Sequence, residues 1–234
     1  MRFTKRGWLL AGIVAVLVLA STPVWMAARE HAKRELVTNR LKKIAYAANL
    51  YADMHRGRKL FSGPTYPTNV CDAQGKPLLS WRVRIVQQLA PGSSLDGLRL
   101  DEPWDSEHNK QFIERMPEAF ASPERSNDGR TTFLAPLGPG TLLGDPSISA
   151  RPFRDSSSDR ILVIEADAGR AIPWTCPDDL PFDRRNPIAG LGNQRPGAFY
   201  AAFADTVVRL VPLSTGPRQL RSMMEGHDLS QLPP

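Results

Sequence analysis

The sequence predicts an α+β protein in which one long N-terminal helix precedes a body of short strands, short helices and long loops. Three observations lead to this fold class. An uncharged apolar run occupies residues 8–28, a helical stripe of apolar residues continues from it to residue 55, and strand-like segments begin only beyond residue 130. A chain of 234 residues has room for one domain with its own core and an appendage.

The apolar run at residues 8–28 reads WLLAGIVAVLVLASTPVWMAA and predicts an uncleaved transmembrane anchor. A helix of about 20 residues crosses the hydrocarbon core of a bilayer. Trp8 and Trp25 lie near its ends, where aromatic rings favour the headgroup region. Two alternatives remain open at this point. One is a cleaved signal peptide with its cleavage site at residues 18–20, and the other is a buried helix of a soluble protein.

Charge is distributed unevenly along the chain. The formal net charge is +6, yet residues 1–59 hold 12 Lys and Arg against three acidic residues, whereas residues 60–234 hold 18 against 21. A basic chain suggests nucleic acid or an anionic membrane surface as partner. Because the basic residues flank the apolar run and the body is mildly acidic, we expect a lipid bilayer as partner and no nucleic acid.

The predicted topology is that of a signal anchor, with a cytoplasmic tail at residues 1–7 and the body outside the cytoplasm. A short basic tail before a first apolar segment usually stays inside. Six basic residues follow the run, between Arg29 and Lys43, and a simple positive-inside count over them would place the body in the cytoplasm instead. The expected location is the cytoplasmic (inner) membrane, crossed once.

Residues 29–58 form the second, amphipathic half of the same predicted helix, which ends near Arg56 before Gly57. One face carries apolar residues at spacings of three and four, which must bury against the body: Val37, Leu41, Ile44, Ala48, Tyr51 and Met54–His55. The opposite face is polar: Lys33, Arg34, Arg40, Lys42, Lys43 and Asn49.

The body, residues 59–234, is rich in proline and has irregular connections. Short helices are predicted at three places: 80–90, 106–116 and 217–225. Strands are predicted at four places: 131–137, 160–166, 198–204 and 206–211. The last two strands are separated only by Asp205, which predicts a tight hairpin. Long loops fill 138–159 and 167–197.

The stretch EPWDSEHNK, residues 102–110, combines carboxylates, a histidine and a tryptophan. We interpret it as the start of a helix, with Ser106 as N-cap and Trp104 packed into the core. A cation site through Asp101, Glu102 and Asp105 is the alternative, but no calcium-loop order is present. His108 has no second histidine at helical metal-ligand spacing, and a catalytic role is the weakest of the three interpretations.

No catalytic, cofactor-binding or metal-ligating residues are predicted. The sequence contains no Gly-x-Ser-x-Gly, His-Glu-x-x-His or phosphate-binding loop motif, so it indicates no enzyme and no cofactor. The CPDDLPFD stretch, 176–183, is interpreted as a solvated loop. Cys71 and Cys176 stand outside any Cys-x-x-Cys motif, and the sequence leaves open whether they pair.

Several blocks together resemble a prepilin-like (pseudopilin-like) family whose body is a domain of unknown function. The family arm typically reads Ala-Arg-Glu-Ala-Ala-Arg-Arg and then Asn-x-Leu-Lys-x-Ile, and residues 28–51 resemble it. Further blocks resemble its centre and C terminus: GKPLLSWRVRIVQQL, DEPWDSEHNKQFIERMPEAFASP, TTFLAPLGPGT, IPWTCPDDLPFDRRNPIAGLG and PGAFYAAFADTVVRLV. The resemblance implies a pilin-like fold, in which the outer half of a long helix packs on a small antiparallel sheet.

The chain departs from the family pattern at two places. Gly12 stands where the prepilin cleavage signal has glutamate, so we expect an intact N terminus. The family's C-terminal signature is His, nine residues, then Asp-Gly, whereas this chain has Arg195, nine residues, then Asp205-Thr206. The resemblance implies a structural protein that associates with itself or with other pilin-like proteins. The alternative is an extracytoplasmic binding module, cation-dependent through Asp101–Asp105.

Overall fold

A computed structural model describes residues 5–55, 66–89, 92, 95–144 and 159–225, with side chains from residue 24 onward. Contacts divide the chain into two compact units, Met1–Leu36 and Val37–Pro234. Helix α1, Lys5–Met54, contributes to both and confirms the predicted long helix, which continues through Pro23. Within the described part of the chain, no helix combines the length and the apolar character needed to span a bilayer. The predicted anchor at 8–28 falls mostly on residues whose side chains lie outside that part.

The apolar stripe of α1 is buried as predicted over most of its length. Four of its residues are 0% exposed: Val37, Leu41, Ile44 and Ala48. Tyr51 is half-buried against the same core. The end of the predicted stripe is wrong, because Met54 is 65% exposed. Because the apolar residues recur at helical spacing, their side chains lie on one side of α1 and pack together on the core of the body.

Two residues assigned to the polar face of α1 contact the body instead. Arg40 donates from Nη1 to the carbonyl of Ala121 at 2.9 Å and pairs through Nη2 with Glu118 at 2.9 Å. Asn49 donates to the carbonyl of Ala204 at 2.9 Å and accepts from the hydroxyl of Tyr66 at 2.9 Å. Long polar side chains at the border of a buried stripe reach neighbouring carbonyls, which helical periodicity alone does not reveal.

The body contains ten short strands, two further α-helices and several 3₁₀ helices in its described residues. The strands are β1 (Val70–Cys71), β2 (Pro77–Leu79), β3 (Arg130–Thr131), β4 (Phe133–Leu134), β5 (Pro136–Leu137), β6 (Ile161–Glu165), β7 (Ile172–Pro173), β8 (Leu180–Pro181), β9 (Ala198–Phe203) and β10 (Val208–Pro212). The helices are α2 (Val86–Leu89) and α3 (Pro217–Glu225). The bounds of α3 are those predicted from the sequence.

The main sheet is antiparallel with strand order β10-β9-β6-β4. Side chains alternate between its two faces along β9. Tyr200 and Ala202 join the core that contains the α1 stripe, whereas Ala201 and Phe203 join the core beneath α3. We call these the α1 face and the α3 face. The predicted helix on a small antiparallel sheet is therefore confirmed as an α+β arrangement, with a second helix on the other side.

The segment predicted as one strand at 131–137 is three strands with three different partners. β3 pairs with β7 and β4 with β6, both antiparallel, and β5 pairs in parallel with β8. β7 and β8 lie inside the predicted loop 167–197. Of the predicted loop 138–159, residues 145–158 lie outside the described part of the chain.

Two of the predicted short helices take a tighter form. The one at 80–90 is a 3₁₀ helix, Trp81–Ile85, that continues into α2, and Ser80 caps it by accepting from the amide of Arg82 at 3.2 Å. The one at 106–116 is a 3₁₀ helix over Asn109–Arg115.

Both cysteines are free, with Cys71 exposed and Cys176 buried. Burial raises the pKa of the Cys176 thiol to about 11.

The predicted hairpin between β9 and β10 is confirmed, with a turn longer than the single residue expected. The amide of Thr206 donates to the carbonyl of Phe203 at 2.9 Å, and the amide of Phe203 donates to the carbonyl of Val207 at 3.0 Å. Thr206 has φ +67°, the left-handed region that β-branched residues rarely adopt. The turn therefore holds a strained residue at a position that favours glycine.

We expect Thr206→Gly to raise the free energy of unfolding by about 0.5–1 kcal/mol. Relief of the left-handed conformation, about 1–2 kcal/mol, exceeds the entropic disadvantage of glycine. Denaturant unfolding of the full-length protein measures the change. Ser214→Gly, at an exposed position with ordinary φ, is the control and should be neutral or destabilising. A variant Thr206→Gly that is no more stable than the wild type would contradict the strain.

Candidate functional site

The acidic turn, which we define as residues 99–107, leads into the 3₁₀ helix Asn109–Arg115. It is fixed to the body through the amide of Trp104, which donates to the carbonyl of Leu78 in β2 at 2.9 Å. The prediction of Ser106 as N-cap is wrong, because the helix begins at Asn109 with His108 at the N-cap position and without a side-chain cap. The Ser106 hydroxyl, two residues earlier, does accept from the amide of Asn109 at 3.0 Å. The helix therefore starts later than predicted, and Ser106 instead holds the turn that precedes it.

Asn109, which the sequence did not single out, is the buried centre of this turn. It is 0% exposed, and its Nδ2 group lies 2.9 Å from the carbonyl oxygen of Arg99, 3.1 Å from that of Glu102 and 3.2 Å from that of Pro103. Its Oδ1 atom accepts from the amide of Arg99 at 3.1 Å. Trp104, which was predicted to pack into the core, does pack against the core of the α1 face but is only half-buried.

A surface depression of about 520 Å³ lies beside the turn, lined by Arg99, Glu102, Glu107, His108 and Gln111. Arg99 pairs with Glu102 at 2.6 Å, and this hydrogen bond lowers the pKa of the Glu102 carboxyl. Nε2 of His108 lies 2.5 Å from the carbonyl oxygen of Gly97. A carbonyl oxygen only accepts, so this nitrogen carries a proton. These five lining residues include no hydroxyl or thiol nucleophile, and the depression is suited to polar recognition.

The acidic side chains of the turn do not converge. Asp101 and Asp105 are exposed, while Glu102 is held by Arg99. Across the described ranges, no group of three or more His, Cys, Asp or Glu side chains is placed to hold a metal ion. Of the other histidines, His31 lies 3.8 Å from Glu35, His55 stacks on Tyr51, and His227 lies outside the described residues.

A buried ion pair links Arg82 with Asp179, and both side chains are 0% exposed. Nη2 of Arg82 contacts Oδ1 of Asp179 and also donates to the carbonyl of Phe133 at 2.9 Å. Asp179 further accepts from Nε1 of Trp81 at 2.9 Å and from the amide of Ala135 at 2.8 Å. The interpretation of residues 176–183 as a solvated loop is therefore wrong at Asp179. This network ties three segments together and has a structural role.

Arg195 occupies the position at which the resemblance leads one to expect histidine. Its Nη2 and Nε atoms lie 3.0 and 3.2 Å from the two carboxylate oxygens of Glu165 in β6. Nη1 lies 3.2 Å from Glu124, and the guanidinium sits 5.7 Å from the ring centroid of Tyr200. Burial raises the pKa of Glu165 despite the arginine. The cluster fixes the segment before β9 to the sheet.

Comparisons with known proteins identify a family. The sequence profile of the family described as "Protein of unknown function (DUF1559)" matches residues 26–160, more than half of the chain. No curated protein and no solved structure matches significantly. The matched region contains the body half of α1, the buried Arg82 and the acidic turn.

Proposed function

The chain belongs to the DUF1559 family of proteins of unknown function, and we propose that it is a membrane-anchored, extracytoplasmic structural protein of pseudopilin-like build. It works by contact with copies of itself or with other pilin-like proteins, and it has no catalytic activity. Residues 1–7 form its cytoplasmic tail, 8–28 its anchor, 29–58 the amphipathic half of the helix and 59–234 its extracytoplasmic body.

The observation that carries this proposal is the division of α1 into two chemically different halves. The second half of α1, which contains Val37 to Tyr51, buries an apolar stripe, as a helix of a folded domain does. The preceding half contains the uncharged run at 8–28, and its described end exposes large apolar side chains: Val24 is 69%, Trp25 74% and Met26 69% exposed. Such a cluster of apolar side chains supports a lipid contact.

The anchor is tested by cell fractionation, protease treatment of intact cells and N-terminal sequencing of the mature protein. We expect membrane-bound protein that starts before residue 8 and whose body is digested from outside. A start at Ser21 would contradict the anchor, and a start at Trp8 would contradict the intact N terminus.

Val14→Arg with Leu17→Arg should release the protein from the membrane, since each buried arginine costs about 2.5–3.5 kcal/mol on insertion scales. Leu36→Arg, outside the run, is the control.

The cation-dependent binding module through Asp101, Glu102 and Asp105 makes a different prediction. A cation bound only by the folded protein raises the melting temperature. A rise with calcium that disappears in both Asp101→Asn and Asp105→Asn would favour the module over the structural role. Equal melting with calcium and with chelator supports the structural role.

A further inference from the structure

Helix α3 presents a basic outer side. Leu220 and Met224 are 1% exposed and pack on the α3 face of the sheet. At 100° per residue, position 218 points away from this buried pair, whereas position 221 lies on the flank of the helix beside it. Arg218 is exposed and Arg221 half-exposed accordingly.

A neighbouring loop adds two more arginines to this side. Nε of Arg184 lies 2.7 Å from the carboxylate of Glu225 at the end of α3, which places the loop beside the helix. The Arg184 side chain is 63% exposed, and Arg185 is exposed as well. We call Arg184, Arg185, Arg218 and Arg221 the basic face. Two carboxylates lie beside these arginines, Glu225, which pairs with Arg184, and Asp183, which accepts from the amide of Arg185 at 2.8 Å. The basic face therefore keeps a net formal charge of about +2 on a body that is mildly acidic as a whole.

The acidic turn lies on the other side of the sheet. Trp104 and Leu98 pack against the core of the α1 face, whereas α3 covers the α3 face. The two surfaces therefore rest on different cores of the body. The exposed Leu100, at 56%, gives the acidic turn an apolar contact point.

We propose that the basic face of one copy binds the acidic turn of a second copy, giving a heterologous, head-to-tail contact between bodies. The proposal rests on the structural role given above and names the surfaces that fulfil it. Opposite charges on opposite faces favour this arrangement over a symmetric dimer, which would place like charges together. Each pair keeps one unused basic face and one unused acidic turn, so the same contact adds further copies.

The test measures the association of the full-length protein in detergent micelles by analytical ultracentrifugation. We expect the wild type to associate at low salt and to dissociate at high salt. Two charge-reversal variants, Arg218→Glu with Arg221→Glu and Asp101→Lys with Asp105→Lys, should each weaken association at least about tenfold, or about 1.4 kcal/mol. Mixing the two variants should restore association, because each retains the surface that the other has lost.

Lys42→Glu with Lys43→Glu is the control, since it makes the same change of net charge as the Arg218 and Arg221 variant, and a change of equal size and opposite sign to the Asp101 and Asp105 variant, on exposed positions of α1. It should leave association unchanged. Circular dichroism melts check that every variant is folded. Association of both reversal variants at wild-type strength would overturn the pairing of these surfaces and leave the structural role standing. Failure of the mixture to associate would also overturn the pairing. A wild type that stays monomeric at low salt would overturn the pairing and count against self-association itself.

Discussion

Asp179→Asn is expected to destabilise the body by about 3–5 kcal/mol, because it leaves Arg82 as a buried charge without its carboxylate. The substitution conserves shape, so the loss reports charge rather than a cavity. Both partners are completely buried, and the network around them joins the 3₁₀ helix at Trp81 to β4 and to the loop before β8. Unfolding of the full-length protein in denaturant measures the effect.

Asp178→Asn is the matched control, since the neighbouring carboxylate is exposed. It should change the free energy of unfolding by less than about 0.5 kcal/mol. The double variant Arg82→Met with Asp179→Leu should be more stable than Asp179→Asn, since replacing both charges removes the uncompensated one. Equal stability of the Asp178 and Asp179 variants would show that the ion pair does not hold the segments together.

Ile44→Asp should destabilise the body by about 3 kcal/mol or more, a large share of the 5–15 kcal/mol typical of a domain. Ile44 is 0% exposed and lies in the middle of the α1 stripe, where a carboxylate finds no water. Ile44→Ala, which removes apolar contact without adding charge, should cost about 2–5 kcal/mol and keeps the test informative if the aspartate variant does not fold.

Lys42→Asp places the same side chain on the exposed side of α1, two residues away. It should leave the melting temperature nearly unchanged. If the full-length Ile44→Asp and Lys42→Asp variants have the same melting temperature, α1 does not depend on its stripe for packing. If only the Ile44→Asp variant has a strongly lowered melting temperature, the stripe is the contact that joins the helix to the sheet.

The features predicted from the sequence are those carried by local patterns. The α1 stripe, the bounds of α3 and the strands β6, β9 and β10 follow from periodicity or from short apolar runs, and each is confirmed. In these cases the interaction that decides the structure lies within a few residues in the chain.

The features that were missed depend on distant partners. Asp179 reads as a loop carboxylate because Arg82 lies 97 residues away. Asn109 looks like any polar residue of a turn until the carbonyls that surround it are known. The split of residues 130–137 into three strands is set by partners at β6, β7 and β8, and no local pattern distinguishes those partners. The candidate surfaces likewise became visible only when the two faces of the sheet were assigned.

The three partners of residues 130–137 all lie further along the chain, and this has a consequence for the order of synthesis. The α1 stripe is made early, while β9, which completes the core that covers it, ends at Phe203. At ordinary translation rates the interval between Ile44 and Phe203 is roughly 10–30 s. Throughout that time the sheet that covers the stripe is incomplete, because β9 is missing from it. We therefore expect the body to fold only when almost all of it has been synthesised.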